Sequence, residues 1–269
     1  MVLNKIQAVI FDWAGTTVDF GSLAPVAVFR EIFRQQAVDI TLAEAREPMG
    51  RGKLEHIAAV AAMPRVRTAW ERVHGTEPTE ADILQMYQAF LPLQKETLAN
   101  YADLIPGLIN TITWLRVHDI RIGSTTGYTR ELMEVLSTVV RERGFSPDNI
   151  VCSDDVHKGR PAPWMLLRSA EQLDAYPFSQ VVAVDDTPVG IQAGRAAGSW
   201  TVAVAATGNA LGLSLAEFNS LTDEERNQQL LSAREKFSAC KPDFIIDSVA
   251  ELPAVIEKIE DSTARYRLQ

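Results

Sequence analysis

Cysteine is nearly absent from this chain: 269 residues contain two, Cys152 and Cys240. Two thiols cannot build a disulfide framework, and these two lack the spacing of a zinc site, so a reducing compartment is expected. Basic charge is also in deficit. With 26 Lys and Arg against 35 Asp and Glu, the net charge is −9. That argues against a nucleic-acid binder working by phosphate neutralisation, though a local basic patch can still hold a small anion. Long apolar runs are missing too. The longest uncharged stretch, Ala196 to Ala216, contains three glycines, Asn209 and several hydroxyls, which makes a poor membrane span. Met1 to Gln7 has one basic residue before a strand pattern begins, unlike a signal peptide. No internal repeat or low-complexity segment is present. What is left, 46% hydrophobic and 23% charged residues, is ordinary globular usage. A soluble, cytoplasmic protein is the expectation.

Short apolar runs recur at Ile6–Phe11, Arg121–Thr125, Ile150–Cys152, Gln180–Val184, Thr201–Ala205 and Asp243–Ile246. Between them lie helical patterns at Leu108–Val117, Arg130–Arg141, Trp164–Leu173, Gly190–Ala197 and Val249–Ile259. Strand alternating with helix predicts a doubly wound, Rossmann-like α/β parallel sheet, with its site at the carboxyl ends of the strands. One region breaks the alternation. From Gly21 to Tyr101 there are helix signals and no convincing strand: capping boxes at Thr41/Glu44 and Thr79/Asp82, and apolar stripes at Val28–Phe33 and Ile83–Phe90. The organisation expected is a core domain of residues 1–20 and 102–269 carrying an inserted helical cap domain, 21–101. A further polar surface helix is expected over Leu221–Phe237, opening at Thr222/Glu225.

Four strand ends carry polar groups suited to chemistry. Asp12 closes the first run and precedes Trp13-Ala14-Gly15-Thr16-Thr17. Ser124-Thr125-Thr126-Gly127 closes the second, Lys158-Gly159-Arg160-Pro161 precedes a helix, and Asp185-Asp186 ends Val181–Val184. Each is bland alone, since an aspartate there is usually a turn former. Converging on one cleft, they make a carboxylate nucleophile, hydroxyl donors, a cation and paired acids, the parts of a metal-assisted phosphoryl-transfer site.

That pattern of strand–Asp-x-x-Gly-Thr, strand–Ser/Thr, Lys/Arg and strand–Asp-Asp resembles the haloacid dehalogenase superfamily, in which the first aspartate forms an aspartyl-phosphate and magnesium bridges nucleophile and phosphate. Phosphatases of that superfamily carry a second aspartate two residues on, which protonates the leaving oxygen. Here that position is Ala14. Losing such an acid typically costs roughly 10²–10⁴-fold in rate, so the alanine suits a chemistry that needs no acid there.

The cap segment supplies a candidate. In Pro48-Met49-Gly50-Arg51-Gly52-Lys53-Leu54-Glu55-His56, Lys53 falls in or near the first turn of a helix. The helix dipole and Arg51 would both lower its pKa from about 10.4 toward a neutral amine that can form a Schiff base. His56 shares its helical face and could shuttle protons. Expelling carbon from phosphorus needs an electron sink, and an iminium at a neighbouring aldehyde provides one. Ala14 and Lys53 fit that scheme together.

These segments, with Gly123–Tyr128, Asp154-Asp155-Val156, Gly159-Arg160-Pro161 and Ala197-Gly198, resemble the phosphonoacetaldehyde hydrolase (phosphonatase) family along nearly the whole chain. The resemblance implies hydrolysis of a C–P bond to acetaldehyde and phosphate in breakdown of 2-aminoethylphosphonate. It implies Asp12 as nucleophile, Lys53 as Schiff-base residue and His56 as proton shuttle. Thr126, Gly127 and Arg160 would hold the phosphonate. Mg²⁺ would sit on Asp12, the Ala14 carbonyl and Asp186, with Asp185 a further candidate because Gly190 stands where some relatives have an aspartate. It also implies a homodimer through the cap, for which the Val28–Phe33 stripe is a candidate surface, the alternative being that the stripe faces the cap's own core. A phosphate-monoester hydrolase, a sugar-phosphate mutase and a catalytically silent phosphate binder remain the alternatives.

Overall fold

The computed structural model describes residues 5–265, with side chains to 262, so the first four residues of the Met1–Gln7 segment lie outside it. In chain order the elements are β1 (Ala8–Phe11), α1 (Leu23–Gln35), α2 (Leu42–Arg46), α3 (Lys53–Ala61), α4 (Pro64–His74), α5 (Glu80–Leu98) and α6 (Leu108–Val117). They continue with β2 (Arg121–Ser124), α7 (Arg130–Glu142), α8 (Trp164–Gln172), β3 (Val181–Asp185), α9 (Pro188–Ala197) and β4 (Trp200–Val204). The chain ends in α10 (Leu215–Ser220), α11 (Asp223–Glu235), β5 (Phe244–Ile246) and α12 (Leu252–Arg265).

The strands form one parallel sheet in the order β2-β1-β3-β4-β5. Because side chains alternate along a strand, each strand feeds two cores. Val9, Phe11, Ile122, Val182 and Val184 pack with α6, α7 and α12, while Ala8, Ile10, Val181 and Ala183 pack with α8 and α9. Burial on both faces explains why β1 and β3 read as unbroken apolar runs. The chain leaves β1 toward β2 on one side and returns to β3 on the other. The carboxyl ends of β1 and β3 therefore flank the switch point, where a crevice opens.

The expected strand Ile150–Cys152 is reduced to a single bridge between Val151 and Thr125. Three residues with one ladder partner make no independent strand. The polar helix at Leu221–Phe237 is α11, begun by the Thr222/Glu225 capping box.

Between β1 and α6, helices α1–α5 enclose a hydrophobic cluster of their own, including Phe29, Phe33, Ile57, Trp70 and Phe90. Both expected capping boxes are formed, at Thr41/Glu44 and Thr79/Asp82. The entry to α1 is capped by Asp19, whose carboxylate accepts from the Leu23 and Ala24 N–H groups at 3.0 Å. The Val28–Phe33 stripe proposed above as a contact surface is instead interior. Val28, Phe29, Ile32 and Phe33 are 3% exposed or less and pack within this cluster. An isolated helical insertion must bury one face of each helix in itself before it can offer another to a partner.

Candidate active site

The sheet places three carboxylates together. β1 delivers Asp12 and β3 delivers Asp185 and Asp186 to the same edge, where one oxygen from each lies within 4.8 Å of the others, all buried. The turn after Asp12 must run close to this group. Gly15 has φ +86°, and a Cβ there would come within 2.3 Å of Asp186 Oδ2, so only glycine fits.

The loop before α8 adds one cation. Arg160 Nη1 lies 2.7 Å from Asp12 Oδ1 and 3.1 Å from Asp185 Oδ2, and Nη2 donates to the Thr125 carbonyl at 3.1 Å and to Thr125 Oγ1 at 2.7 Å. Neighbouring Lys158 points to solvent. One guanidinium does not balance three buried carboxylates. Burial pushes Asp12 up to about 7 despite Arg160, with Asp185 adding to the rise. Burial, then Asp12 and Asp185, push Asp186 well above the carboxylate range.

The acids differ in what occupies their oxygens. Asp185 is used up: Oδ1 accepts from Thr187 N at 2.9 Å and Thr187 Oγ1 at 2.7 Å, while Oδ2 faces Arg160. Asp186 Oδ2 accepts from the Asn209 N–H at 2.6 Å, but its buried Oδ1 has no partner among the described residues. An all-oxygen cluster short of positive charge, with one carboxylate oxygen open, fits a hard divalent cation. Gly190 is explained by the same geometry. A Cβ on it would lie 1.9–2.2 Å from the Asp185 carboxylate, which fills the space a side chain at 190 would need.

The helical insertion lays α3 across this edge. Lys53, its first residue, is buried, with Nζ 4.7 Å from the centre of the Tyr128 ring, 5.5 Å from Phe29 and 6.0 Å from Phe90. Burial lowers its pKa to about 8, with Asp12 opposing and Arg160 assisting. The direction matches the sequence argument, but its main cause is desolvation, and exposed Arg51 is not among the charges that move it. Lys53, Asp12, Thr126, Gly127, Arg160 and Asp186 line one small cavity, together with Ala14 and Tyr128.

His56 stands apart. It is fully buried, stacked on Phe29 with ring centroids 3.7 Å apart, and its Nε2 donates to the Ala45 carbonyl at 2.9 Å. Burial and then Lys53 hold its pKa well below the usual range, so it is neutral with its lone pair on Nδ1. It is not among the residues lining the cavity.

Comparison with known proteins decides the family. The haloacid dehalogenase-like hydrolase model matches residues 6–198. A phosphonoacetaldehyde hydrolase of Hahella chejuensis is 46% identical over 96% of this chain and 87% of its own length. The chain belongs to the phosphonoacetaldehyde hydrolase family of haloacid dehalogenase-like hydrolases. Another member, from Bacillus cytotoxicus, is 46% identical over 95% of this chain and 97% of its own. A crystal structure of a phosphonoacetaldehyde hydrolase-like protein from Oleispira antarctica superposes with a TM-score of 0.95 at 38% identity, covering 97% of this chain and 94% of that one.

Sequence reasoning gathered Asp12, Lys53, Arg160 and the paired acids; the fold brings Asp12, Lys53, Arg160 and Asp186 to one cavity, with Asp185 beside Asp12 and Asp186 in the acid cluster. It passed over Thr187, which fixes Asp185, and Asn209, whose N–H fixes Asp186. Asn209 lies in an uncharged stretch with no local signal. Only the fold carries it to Asp186.

Proposed function

We infer that this chain hydrolyses the C–P bond of phosphonoacetaldehyde to acetaldehyde and phosphate. The observation that carries this reading is a buried amine of lowered pKa lining the same cavity as a carboxylate nucleophile, with no acid at position 14. The helical insertion acts as a cap that brings Lys53 to the core.

Lys53 Nζ adds to the aldehyde and loses water to give an iminium two bonds from phosphorus. An Asp12 oxygen attacks phosphorus as the P–C bond breaks, and the released pair forms the enamine C=C while the nitrogen regains its lone pair. Protonation at carbon and addition of water release acetaldehyde and free Lys53. A second water splits the aspartyl-phosphate and releases phosphate. Arg160, Thr126 and Gly127 hold the phosphonate oxygens from the core side, the charge complementarity such a transfer requires. Asp12, Asp186 and the Ala14 carbonyl would hold Mg²⁺, which supplies Lewis-acid stabilisation of charge on those oxygens. Asp185, with both oxygens engaged, serves by positioning Arg160. His56, three residues on from Lys53 in α3 and with no hydrogen bond at Nδ1 among the described residues, is assigned the proton handling at that lysine.

The reading extends to a soluble, cytoplasmic homodimer. Both cysteines are buried and free, and no described helix is long and apolar enough to cross a membrane. A dimer through the cap would use its exposed apolar side chains, such as Leu42, Leu54, Val73 and Leu84, and sedimentation of a Leu84→Glu variant would reveal it.

Borohydride reduction in the presence of phosphonoacetaldehyde and magnesium, followed by peptide mapping, tests the mechanism. A two-carbon adduct on Lys53, absent in Lys53→Arg, is expected. Turnover by Lys53→Arg would overturn it.

A further inference from the structure

Arg46 is the last residue of α2, in the helical insertion, yet its guanidinium is bonded into the core. Nη1 donates to the Gly21 carbonyl at 2.9 Å and to Asn209 Oδ1 at 3.0 Å, and Nη2 donates to the Gly212 carbonyl at 3.0 Å. Asn209 answers by donating from Nδ2 to the Arg46 carbonyl at 3.1 Å. Arg46 is thus tied to Gly21, where the chain crosses from core to insertion, and to both ends of the 209–212 loop beyond β4. All its acceptors here are neutral oxygens, so no carboxylate quenches its charge in direct contact.

The same loop rests on the acid cluster. The backbone N–H of Asn209 donates to Asp186 Oδ2 at 2.6 Å, and a Cβ on Gly208 would come within 2.2 Å of the Asp186 Cβ. Gly212, at φ +73°, lies so flat on Arg46 that a Cβ there would meet its Cζ at 2.8 Å. No side chain separates Arg46 from the loop or the loop from Asp186. With Oδ2 held by that N–H, the buried Oδ1 is the oxygen left open. A shift of α2 away from the core must break the Asn209 side-chain bonds and release the backbone that sets the Asp186 carboxylate.

We propose that Arg46 and Asn209 form a latch through which closure of the helical insertion sets the cation-binding geometry of Asp186. The proposal rests on the reading of Asp186 as a metal ligand. Closure and cation binding then favour one another by the same factor, since coupling between two events is reciprocal. Arg46 and Asn209 are positioning residues, acting through Asp186.

The test is calorimetric titration of Mg²⁺ into the substrate-free protein. Asn209→Ala keeps the backbone N–H to Asp186 and deletes only the side-chain bonds to Arg46. Arg46→Met deletes the other half, and Thr41→Ala disturbs the opposite end of α2 without touching the latch. We expect the Mg²⁺ dissociation constant to rise roughly 5- to 50-fold in Asn209→Ala and Arg46→Met, within the usual span of coupling between sites. The double variant should be no weaker than the worse single one, Thr41→Ala should match the parent, and saturating magnesium should restore turnover. A merely structural contact would lower stability without moving magnesium half-saturation. Dissociation constants within twofold of the parent for folded Asn209→Ala would overturn the latch, and that variant decides the matter should Arg46→Met not fold. Because binding is read without substrate, intact coupling with no cleavage of phosphonoacetaldehyde would overturn the proposed reaction and leave the latch standing.

Discussion

Arg160 on the core reaches Asp12, Asp185 and Thr125 at 2.7–3.1 Å, while Lys53 Nζ, brought by the insertion, sits among Phe29 and Phe90 of the insertion and Tyr128 of the core at 4.7–6.0 Å and has, among the described residues, no hydrogen-bond acceptor. One surrounding holds charge in place and the other, made by rings from both the insertion and the core, withholds water from an amine. A transferring phosphoryl group needs fixed opposite charges. An amine that must attack a carbonyl needs to be unprotonated, which an apolar enclosure favours by withholding water. Both surroundings meet in one cavity lined by Asp12, Arg160 and Lys53.

Breaking the charged surrounding should have the largest effect. Asp12→Asn is expected to lower kcat by roughly 10⁴-fold or more, as removal of a nucleophile does, with Lys53 still trapped by borohydride. If the two surroundings act separately, the adduct survives, and its loss would show that they do not. Arg160→Lys keeps the charge but cannot fork to both carboxylates and Thr125, so kcat should fall by about 10²–10³-fold.

The aromatic surrounding should show itself in pH. With Lys53 near 8, the rate of adduct formation should climb through pH 7 and level above about pH 8. Phe90→Gln, which admits water beside Nζ, should move that limb toward the ordinary value of about 10.4. The linkage has a definite sign. The folded pKa lies below the unfolded one, so the unfolded chain holds the extra proton, and stability rises with pH from about 8 to the unfolded value. Lys53→Met should therefore be more stable than the parent at pH 7, by up to about 3 kcal/mol, a gap that closes by about pH 10. Urea denaturation at the two pH values measures it.

Smaller effects test the packing behind each surrounding. Gly190→Ala puts a methyl where the Asp185 carboxylate sits and should cost about 1–3 kcal/mol. Asp185→Gly combined with Gly190→Asp should recover most of that stability, since one carboxylate replaces the other in the same space. Thr41→Ala removes a capping box far from the cavity and should cost about 1 kcal/mol in thermal unfolding with kcat unchanged.

Local physics made much of this molecule legible. Strands β1 and β3 show as apolar runs because both their faces are buried, and the capping boxes at Thr41, Thr79 and Thr222 formed where three-residue spacing placed them. Ile150–Cys152 misled because a short apolar run has no period to separate strand from loop. The Val28–Phe33 stripe left two readings open, and the structure takes the one that faces the insertion's own core. Periodicity shows that a face is apolar, not what covers it.

The presence of Asp12, Lys53, Arg160 and the Asp185-Asp186 pair, and the alanine at position 14, are matters of residue identity and spacing, and the amino-acid sequence determined them alone. Tertiary structure decided what lies between distant segments: that desolvation rather than Arg51 lowers the Lys53 pKa, that the Asp185 carboxylate occupies the room of a side chain at 190, and that Arg46 and Asn209 meet above Asp186. Burial and hydrogen-bond partnership depend on what the rest of the chain places nearby, and no window of sequence contains that.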